Sequence, residues 1–209
     1  MKPSLIVHPV SFSPSGKTAL ATAVALARLW GADLHALEVR GRRRSSQEPI
    51  VRSITDPDVE PHFAEFVQSV DSGEVKVSAV ELSGDVVDAV VEYASRAPAD
   101  LVVVAAQARS HGPYWRPGAY ANDLVRRLSS PLLAVPASGD AAPLSNSEAV
   151  ADLIVVSRPQ RGDHLSMNSS LAAVLRKAAH PVLVVPTTSA DPVDVPWENV
   201  AFAEPALSR

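Results

Sequence analysis

Short apolar runs alternate with amphipathic segments along the first 136 residues, and this alternation restricts the fold more than any other feature. The apolar runs predict buried strands at 4–10, 33–39, 75–82, 100–106 and 131–136. Apolar residues at helical spacing predict helices between them, at 17–30, 61–70, 85–97 and 119–128. Strands that alternate with helices favour a parallel sheet with helices on both faces and right-handed crossovers. We therefore expect an α/β protein.

The last strand-helix-strand unit of this pattern occurs twice. Residues 99–136 begin ADLVVVAAQARSHG and end LVRRLSSPLLAVP, while residues 151–186 begin ADLIVVSRPQRGDH and end VLRKAAHPVLVVP. No copy of the first three strands precedes the second unit, so it is a half repeat. The predicted organisation is an α/β domain (1–136), a linker (137–150), a truncated β-α-β repeat (151–186) and a C-terminal tail (187–209).

Composition excludes several classes of protein. The net charge of −4 argues against a nucleic-acid-binding protein, and the lack of cysteine excludes disulfides and thiol chemistry. No run approaches the ~18 apolar residues of a membrane span, and the N-terminus does not resemble a signal peptide. The six histidines lack metal-ligand spacing, and His8 is expected to be a satisfied buried imidazole. We expect a cytoplasmic protein that binds neither membranes nor metals.

The stretch SFSPSGKTAL (11–20) has the strand, Gly-Lys-Thr and helix order of a phosphate-binding P-loop. The P-loop motif requires a glycine five positions before Gly16, where this chain has Ser11, and Pro14 removes an N–H donor. The simpler interpretation is that Ser13 or Ser15 caps the helix while Lys17 is solvated. Because glycine commonly follows the last turn of a helix, Gly31 is expected to end this helix.

The pattern as a whole resembles the universal stress protein family. The resemblance rests on LIVHPVSFSPSGKTALATAVALARLWGADLHALEV, GDVVDAVVEYASRAPADLVVV and LVRRLSSPLLAVP; it covers residues 1–136, weakly over 40–74. It implies an open parallel five-stranded sheet in the order 3-2-1-4-5 with helices on both faces, extended here by the C-terminal β-α-β half repeat. The ends of the first and fourth strands would then form a ligand-binding crevice.

Nucleotide-binding members of this family carry Gly-x2-Gly-x9-Gly-Ser/Thr after the fourth strand and an Asp after the first. The matching positions here are Ala105, Ala108, Gly118 and Ala119, with Ser11 in place of the Asp. Alanine at a left-handed glycine position costs roughly 1–2 kcal/mol, and a lost hydroxyl costs about 1 kcal/mol. The resemblance therefore implies a degenerate nucleotide site.

Two arginine clusters leave alternatives open. Arg109, with His111, Tyr114, Trp115 and Arg116 in the same loop, would hold a base or phosphate, or else the aromatic residues pack the loop down. The segment RGRRR (40–44) would grip a phosphate-rich partner, or else it is a solvated surface loop, which we favour.

Three functions compete on this reading. The favoured one is a non-catalytic regulatory or interaction protein of the universal stress type, acting through a protein partner or self-association. The second is an ATP- or AMP-binding switch in which the altered site still works, so ATP and AMP are the candidate ligands. The third is an enzyme, which we do not expect, because the sequence shows no Ser/His/Asp grouping, paired carboxylates or metal cluster, and SFSPSG lacks the Ser-Gly-Gly-x-Asp-Ser loop of related nucleotide hydrolases.

The half repeat predicts how the sheet is extended. In the resembled family the fifth strand is an edge at which two chains often pair antiparallel, and PVLVVP is a near copy of that strand, PLLAVP. We expect strand 182–185 to pair antiparallel with 132–135, strand 153–156 to lie outside it, and helix 169–179 to cover one face. The order would be 3-2-1-4-5-7-6. In the tail, Trp197 and Phe202 are expected to dock onto the body.

Overall fold

The computed structural model describes residues 3–41, 48–106, 119–136, 154–158 and 181–186. Its strands are β1 (Leu5–Pro9), β2 (Asp33–Arg40), β3 (Ile50–Ser53), β4 (Val77–Ser83), β5 (Leu101–Ala105), β6 (Leu132–Val135), β7 (Ile154–Arg158) and β8 (Val182–Pro186). Its helices are α1 (Pro14–Trp30), α2 (Pro61–Gln68), α3 (Val86–Arg96) and α4 (Ala119–Arg127). Within these described ranges, no helix is both long and apolar enough to cross a membrane.

One sheet contains all of these strands, in the order β3-β4-β2-β1-β5-β6-β8-β7. Its central five strands, β4-β2-β1-β5-β6, are parallel, which confirms the predicted 3-2-1-4-5 arrangement. Buried apolar residues along these strands form the core, as the near-continuous apolar runs predict for strands covered on both faces.

The prediction of a five-stranded domain sheet was one strand short. Strand β3 pairs antiparallel with β4, from Ile50 opposite Glu81 to Ser53 opposite Ser78. The arginine cluster at 40–44 was interpreted as a solvated surface loop, and no strand was predicted between the second strand and the helix at 61–70. Ile50 and Val51 are 42% and 50% exposed, since β3 is an edge strand, so no buried alternation marks it in the sequence.

The predicted extension of the other edge is confirmed. Strand β8 pairs antiparallel with β6, and β7 pairs parallel with the far side of β8. The rival arrangement, in which the first strand of the half repeat lies next to β6, is therefore wrong. Helix 169–179, Trp197 and Phe202 lie outside the described residues, and their predicted positions remain predictions.

Helices cover both faces of the sheet. α3 contacts α4, whereas α1 packs on β1, β5 and β6. The steps from β1 to β2 and from β5 to β6 run in opposite directions across the sheet, so right-handed crossovers place α1 and α4 on opposite faces. The Tyr93 hydroxyl of α3 forms a hydrogen bond with His35 of β2 at 2.7 Å. His35 and its register partner Val7 therefore point to the face of the sheet that α3 covers.

The ends of α1 follow from the residues that flank it. The hydroxyl of Ser13 accepts the N–H of Gly16, and Pro14 occupies the first helical turn, where no N–H is needed. Gly31 has φ 63° and its N–H bonds the carbonyl of Ala27. Both predicted caps are confirmed, and the helix begins three residues earlier than its apolar periodicity indicates.

A single carboxylate ties β1 to β5 at the amino end of the sheet. Oδ2 of Asp100 accepts hydrogen bonds from the N–H of Ser4 at 2.7 Å, from the Ser4 hydroxyl at 2.9 Å and from the N–H of Leu5 at 3.0 Å. Burial alone would raise the pKa of Asp100, but these hydrogen bonds outweigh it and hold the pKa below its usual value. The charged form therefore stabilises the fold.

We predict that Asp100→Ala lowers the free energy of unfolding by about 1–3 kcal/mol at pH 7, because hydrogen bonds to a charged acceptor are lost. A carboxyl with a lowered pKa contributes stability above its unfolded pKa, near 3.9, and loses it as the pH falls through the folded pKa. Urea unfolding should show that the difference in free energy of unfolding between the wild type and Asp100→Ala is smaller at pH 3 than at pH 7. Asp58→Ala, at an exposed position, is the control. An equal difference at both pH values would contradict the charge as its source.

Candidate functional site

The candidate crevice lies at the carboxyl ends of β1 and β5. From β1 the chain crosses to β2 on one side, and from β5 it crosses to β6 on the other. The sheet therefore reverses its winding direction between β1 and β5, and this switch point is where open α/β sheets bind ligands. Among the predicted site residues, Ser11 follows β1 and Ala105 ends β5, so the fold brings these two strand ends together.

Ser11 is held by the turn that leads into α1. Its carbonyl accepts the N–H of Ser13 at 2.7 Å, and its hydroxyl lies 3.2 Å from that of Ser13, which in turn lies 3.1 Å from that of Ser15. Three serine hydroxyls thus form a chain at the start of the helix. These three hydroxyls are uncharged, whereas the resembled nucleotide-binding motif has an Asp at the position of Ser11.

The Gly-Lys-Thr segment is part of the helix and has no phosphate-binding geometry. The N–H of Gly16 donates to the Ser13 hydroxyl at 3.1 Å, and that of Lys17 donates to the Ser13 carbonyl at 2.9 Å. Both donors that a P-loop would direct at a phosphate are therefore used by the helix cap. The P-loop alternative is not supported, and Lys17 is exposed as expected.

Gly16 has a packing role instead. A Cβ atom at this position would overlap the carbonyl oxygen of Ser11 and lie 2.8 Å from its carbonyl carbon. Both atoms belong to the backbone, so neither can move aside as the tip of a side chain would. Glycine lets α1 start directly against the end of β1.

We predict that Gly16→Ala destabilises the protein by about 1–3 kcal/mol through overpacking, because α1 must shift away from Ser11. Gly41→Ala is the matched control, since a Cβ there meets nothing within 4 Å, and its effect should stay within about 0.5 kcal/mol. Chemical denaturation measures both. Equal effects at the two glycines would contradict the close approach.

The side chain of His8 replaces a missing backbone hydrogen bond at the switch point. Strands β1 and β5 pair at Ile6↔Leu101 and Val7↔Val102, so the next donor to β5 would be the N–H of residue 9, aimed at the Val103 carbonyl. Residue 9 is a proline and has no N–H. The ring of His8 supplies the bond, with Nδ1 2.9 Å from the Val103 oxygen.

This contact fixes the tautomer of His8. A carbonyl only accepts, so Nδ1 carries the proton and Nε2 is an acceptor. The residue is fully buried and Nε2 has no partner in the described part of the chain, so the expected satisfied imidazole is satisfied at one nitrogen only. Burial lowers the pKa of His8 to about 4, although the bond to Val103 opposes this, and the ring is neutral at physiological pH.

We predict that His8 makes folding sensitive to mild acid. A folded pKa of about 4, below the unfolded value near 6.5, means that the unfolded chain binds the extra proton, so stability falls as the pH falls through this window. The His8→Asn variant keeps a donor near the position of Nδ1 but does not titrate. Between pH 6.5 and 4, its free energy of unfolding should fall by roughly 3 kcal/mol less than that of the wild type. Denaturant unfolding at both pH values, with the exposed His62→Asn as control, checks this; parallel losses would contradict it.

The remaining candidates are only partly located. Ala105 is buried, and its backbone pairs with Val135 of β6. Ala119 opens α4 after the connection from β5. Ala108, Arg109 and Gly118 lie outside the described residues, so how they contribute to the crevice remains a prediction.

An aromatic cluster beside Ser11 was missed by the sequence reasoning. Phe12 is 47% exposed and stacks on His62 of α2, with ring centroids 4.7 Å apart, and it makes edge contacts with Phe63 and Phe66. Phe63 and Phe66 are part of the apolar spacing that predicts the helix at 61–70. The signal that Phe12 joins them was its position directly after Ser11. These contacts hold α2 against the β1–α1 turn.

The described charges near this end of the sheet are largely paired. Arg40, at the end of β2, lies 2.8 Å from Glu38 and 3.6 Å from Glu81, and Arg52 lies 3.1 Å from Glu81. Arg40 is therefore paired with two carboxylates, while Arg42, Arg43 and Arg44 lie outside the described residues. Within the described ranges, no three His, Asp or Glu side chains are grouped so as to hold a metal ion.

Comparison with known proteins agrees with this architecture. The family model of the Universal stress protein family matches residues 4–136. The structure of the hypothetical protein MJ0577 is similar, with a TM-score of 0.50 and 15% identity; the match covers 65% of this chain and 97% of that chain. No curated protein is significantly similar in sequence.

Two further solved structures match a similar share of this chain. A universal stress protein in complex with cAMP has a TM-score of 0.46 and 18% identity, covering 66% of this chain and 100% of its own. One from Archaeoglobus fulgidus in complex with dAMP has a TM-score of 0.44 and 20% identity, covering 63% and 97%.

Proposed function

The chain belongs to the universal stress protein family, and on that premise we propose that it is a non-catalytic regulatory or interaction protein whose nucleotide site is degenerate. It acts through a protein partner or through self-association, in the cytoplasm. The observation that carries the proposal is Ser11, whose neutral hydroxyl bonds Ser13 at the position where nucleotide-binding relatives place an Asp.

The surroundings of Ser11 support weak nucleotide binding. A hydroxyl bonded to a neighbouring hydroxyl cannot replace a charged acceptor for ribose or adenine. Arg40 is neutralised by two carboxylates, and the N–H groups of Gly16 and Lys17 are used within the helix cap. The described residues thus offer few free donors for phosphate oxygens.

Alanine at the motif positions is also expected to weaken nucleotide binding. Ala105 is 3% exposed at the end of β5, where its methyl group takes space that a glycine would leave open. The combined losses at Ser11, Ala105, Ala108 and Ala119 are about 3–5 kcal/mol before discounting for non-additivity. Since 1.4 kcal/mol is about a tenfold change in Kd, a micromolar site would become millimolar.

The second candidate function is an ATP- or AMP-dependent switch. It is favoured by the intact spacing of the motif positions. It is also favoured by α4, which begins at Ala119, because the free N–H groups at the amino end of a helix bind anions. Arg109 would then hold a phosphate.

We predict that ATP, AMP and cAMP titrated into the purified protein bind with millimolar or weaker Kd by calorimetry, and that ATP is not hydrolysed above background. The variant Ser11→Asp/Ala105→Gly/Ala108→Gly/Ala119→Ser should bind at least tenfold tighter, because it restores the motif. Its control carries Ser15→Asp instead of Ser11→Asp, which adds the same charge four residues further along the chain, in the first turn of α1. Micromolar binding by the wild-type protein would refute degeneracy and favour the switch.

A further inference from the structure

A pocket opens at the amino end of the sheet, at the opposite end from the nucleotide crevice. It has a volume of about 350 Å³ and lies where the chain enters β5 and β6. The last turn of α3 and the segment that follows α4 complete its wall. Pockets that bind small molecules start at about 300 Å³, so this one is large enough for a small ligand.

The wall of this pocket is rich in hydrogen-bond acceptors. Besides two alanines, the lining residues are Ser95, Pro98, Asp100, Ser129, Ser130 and Pro131. A carboxylate only accepts hydrogen bonds, and serine hydroxyls can accept them. None of these lining residues is a lysine, arginine or histidine.

Few N–H donors remain at the pocket. Pro98 and Pro131 have no backbone N–H. The N–H groups of Ala99 and Asp100 already donate to backbone carbonyls, at 3.1 Å and 3.0 Å. An anion needs several donors around it, so the lining does not suit an anionic ligand.

The charge at the pocket is negative. Oδ2 of Asp100 accepts the three hydrogen bonds from Ser4 and Leu5, and Oδ1 takes no part in them. Because these bonds hold the pKa of Asp100 below its usual value, the carboxylate is charged at neutral pH. The carboxyl ends of α3 and α4, which carry partial negative charge, lie beside it.

The arginines in the last turns of α3 and α4 do not line the pocket. Two of them are paired with carboxylates of α3 instead. Arg96 lies 2.6 Å from Glu92, and Arg127 lies 2.6 Å from Asp88. Among the described residues, the carboxylate in the pocket therefore has no cation beside it in the wall.

We propose that this pocket binds the primary ammonium group of a small amine. An ammonium group has a positive charge and three N–H donors but no acceptor, which matches a wall of acceptors around a carboxylate. Asp100 binds it by charge-assisted hydrogen bonds, and the hydroxyls of Ser129 and Ser130 accept others. The proposal does not depend on the state of the nucleotide crevice, which lies at the other end of the sheet.

The ammonium group has two possible sources. One is a free amine. The other is Lys2 of the same chain, which precedes Ser4 by two residues and lies outside the described residues. Amines are therefore titrated into both the wild type and Lys2→Gln. Equal binding to the two proteins identifies a free amine as the ligand, and binding at least tenfold tighter to Lys2→Gln identifies Lys2 as the occupant in the wild type.

Matched probes isolate the contribution of the charge. 2-Aminoethanol and 1,4-diaminobutane are compared with ethylene glycol and 1,4-butanediol, in which hydroxyls replace the ammonium groups. We expect millimolar amine to shift the backbone amide resonances of Ser95, Ser129 and Ser130 saturably, with a Kd at least tenfold lower than that of the diols. Equal binding of amines and diols, shifts confined to other residues, or no binding to either protein would overturn the proposal.

A charge introduced at the pocket gives an independent test. Ser129 is exposed, so its replacement leaves the core packing unchanged. Ser129→Lys places a tethered ammonium group at the pocket and should abolish the binding of 1,4-diaminobutane. Its matched control, Ser129→Gln, has a long side chain without the charge and should keep that binding. Equal binding by these two variants would refute the proposal.

Removing the carboxylate completes the test. Asp100→Asn should weaken the binding of 1,4-diaminobutane at least tenfold, because a charge-assisted hydrogen bond is lost. Unchanged binding by folded Asp100→Asn would contradict the role of the carboxylate. Where this variant does not fold, the comparison of Ser129→Lys with Ser129→Gln decides.

Discussion

Pairing of backbone N–H and C=O groups is the constraint on which the rest of this structure depends. A strand buried on both faces has no water to satisfy those groups, so each must find a partner along the two sides of the strand. β1, β5 and β6 are such strands. At β1 the proline at position 9 removes one donor, and the ring of His8 replaces it. At β6 the open side is covered by β8, which is supplied from the same chain.

The need to pair backbone N–H and C=O groups also explains the structure of the crevice between β1 and β5. The ladder between β1 and β5 stops at Val7, because Pro9 cannot continue it. The strands are then held by side chains at both ends, by Asp100 at the amino end and by His8 near the carboxyl end. The turn after β1 is fixed by Ser13 and by the absence of a side chain at Gly16. The result is a crevice floor that is held by hydrogen bonds at both ends and carries little charge.

Sequence patterns predicted the elements that depend on local chemistry or on burial. The five parallel strands were visible as apolar runs, and Ser13 and Gly31 marked the ends of α1. β3 was not predicted, because an exposed edge strand needs no apolar alternation and its partner β4 lies far along the chain. The donor role of His8 was not predictable either, since it requires the register of β1 against β5 together with Pro9. The extension of the sheet was predictable because the repeat preserves the sequence of one strand.

The arrangement of β6 and β8 also sets an order of events during synthesis. β6 leaves the ribosome about fifty residues before β8, and at roughly 5–20 residues per second that interval lasts a few seconds. During this time the parallel domain can form with its far edge open. Nascent chains translated side by side from one messenger would present identical open edges to each other. The length of the interval is set by the linker and by the first part of the half repeat, which lie between the two strands in the chain.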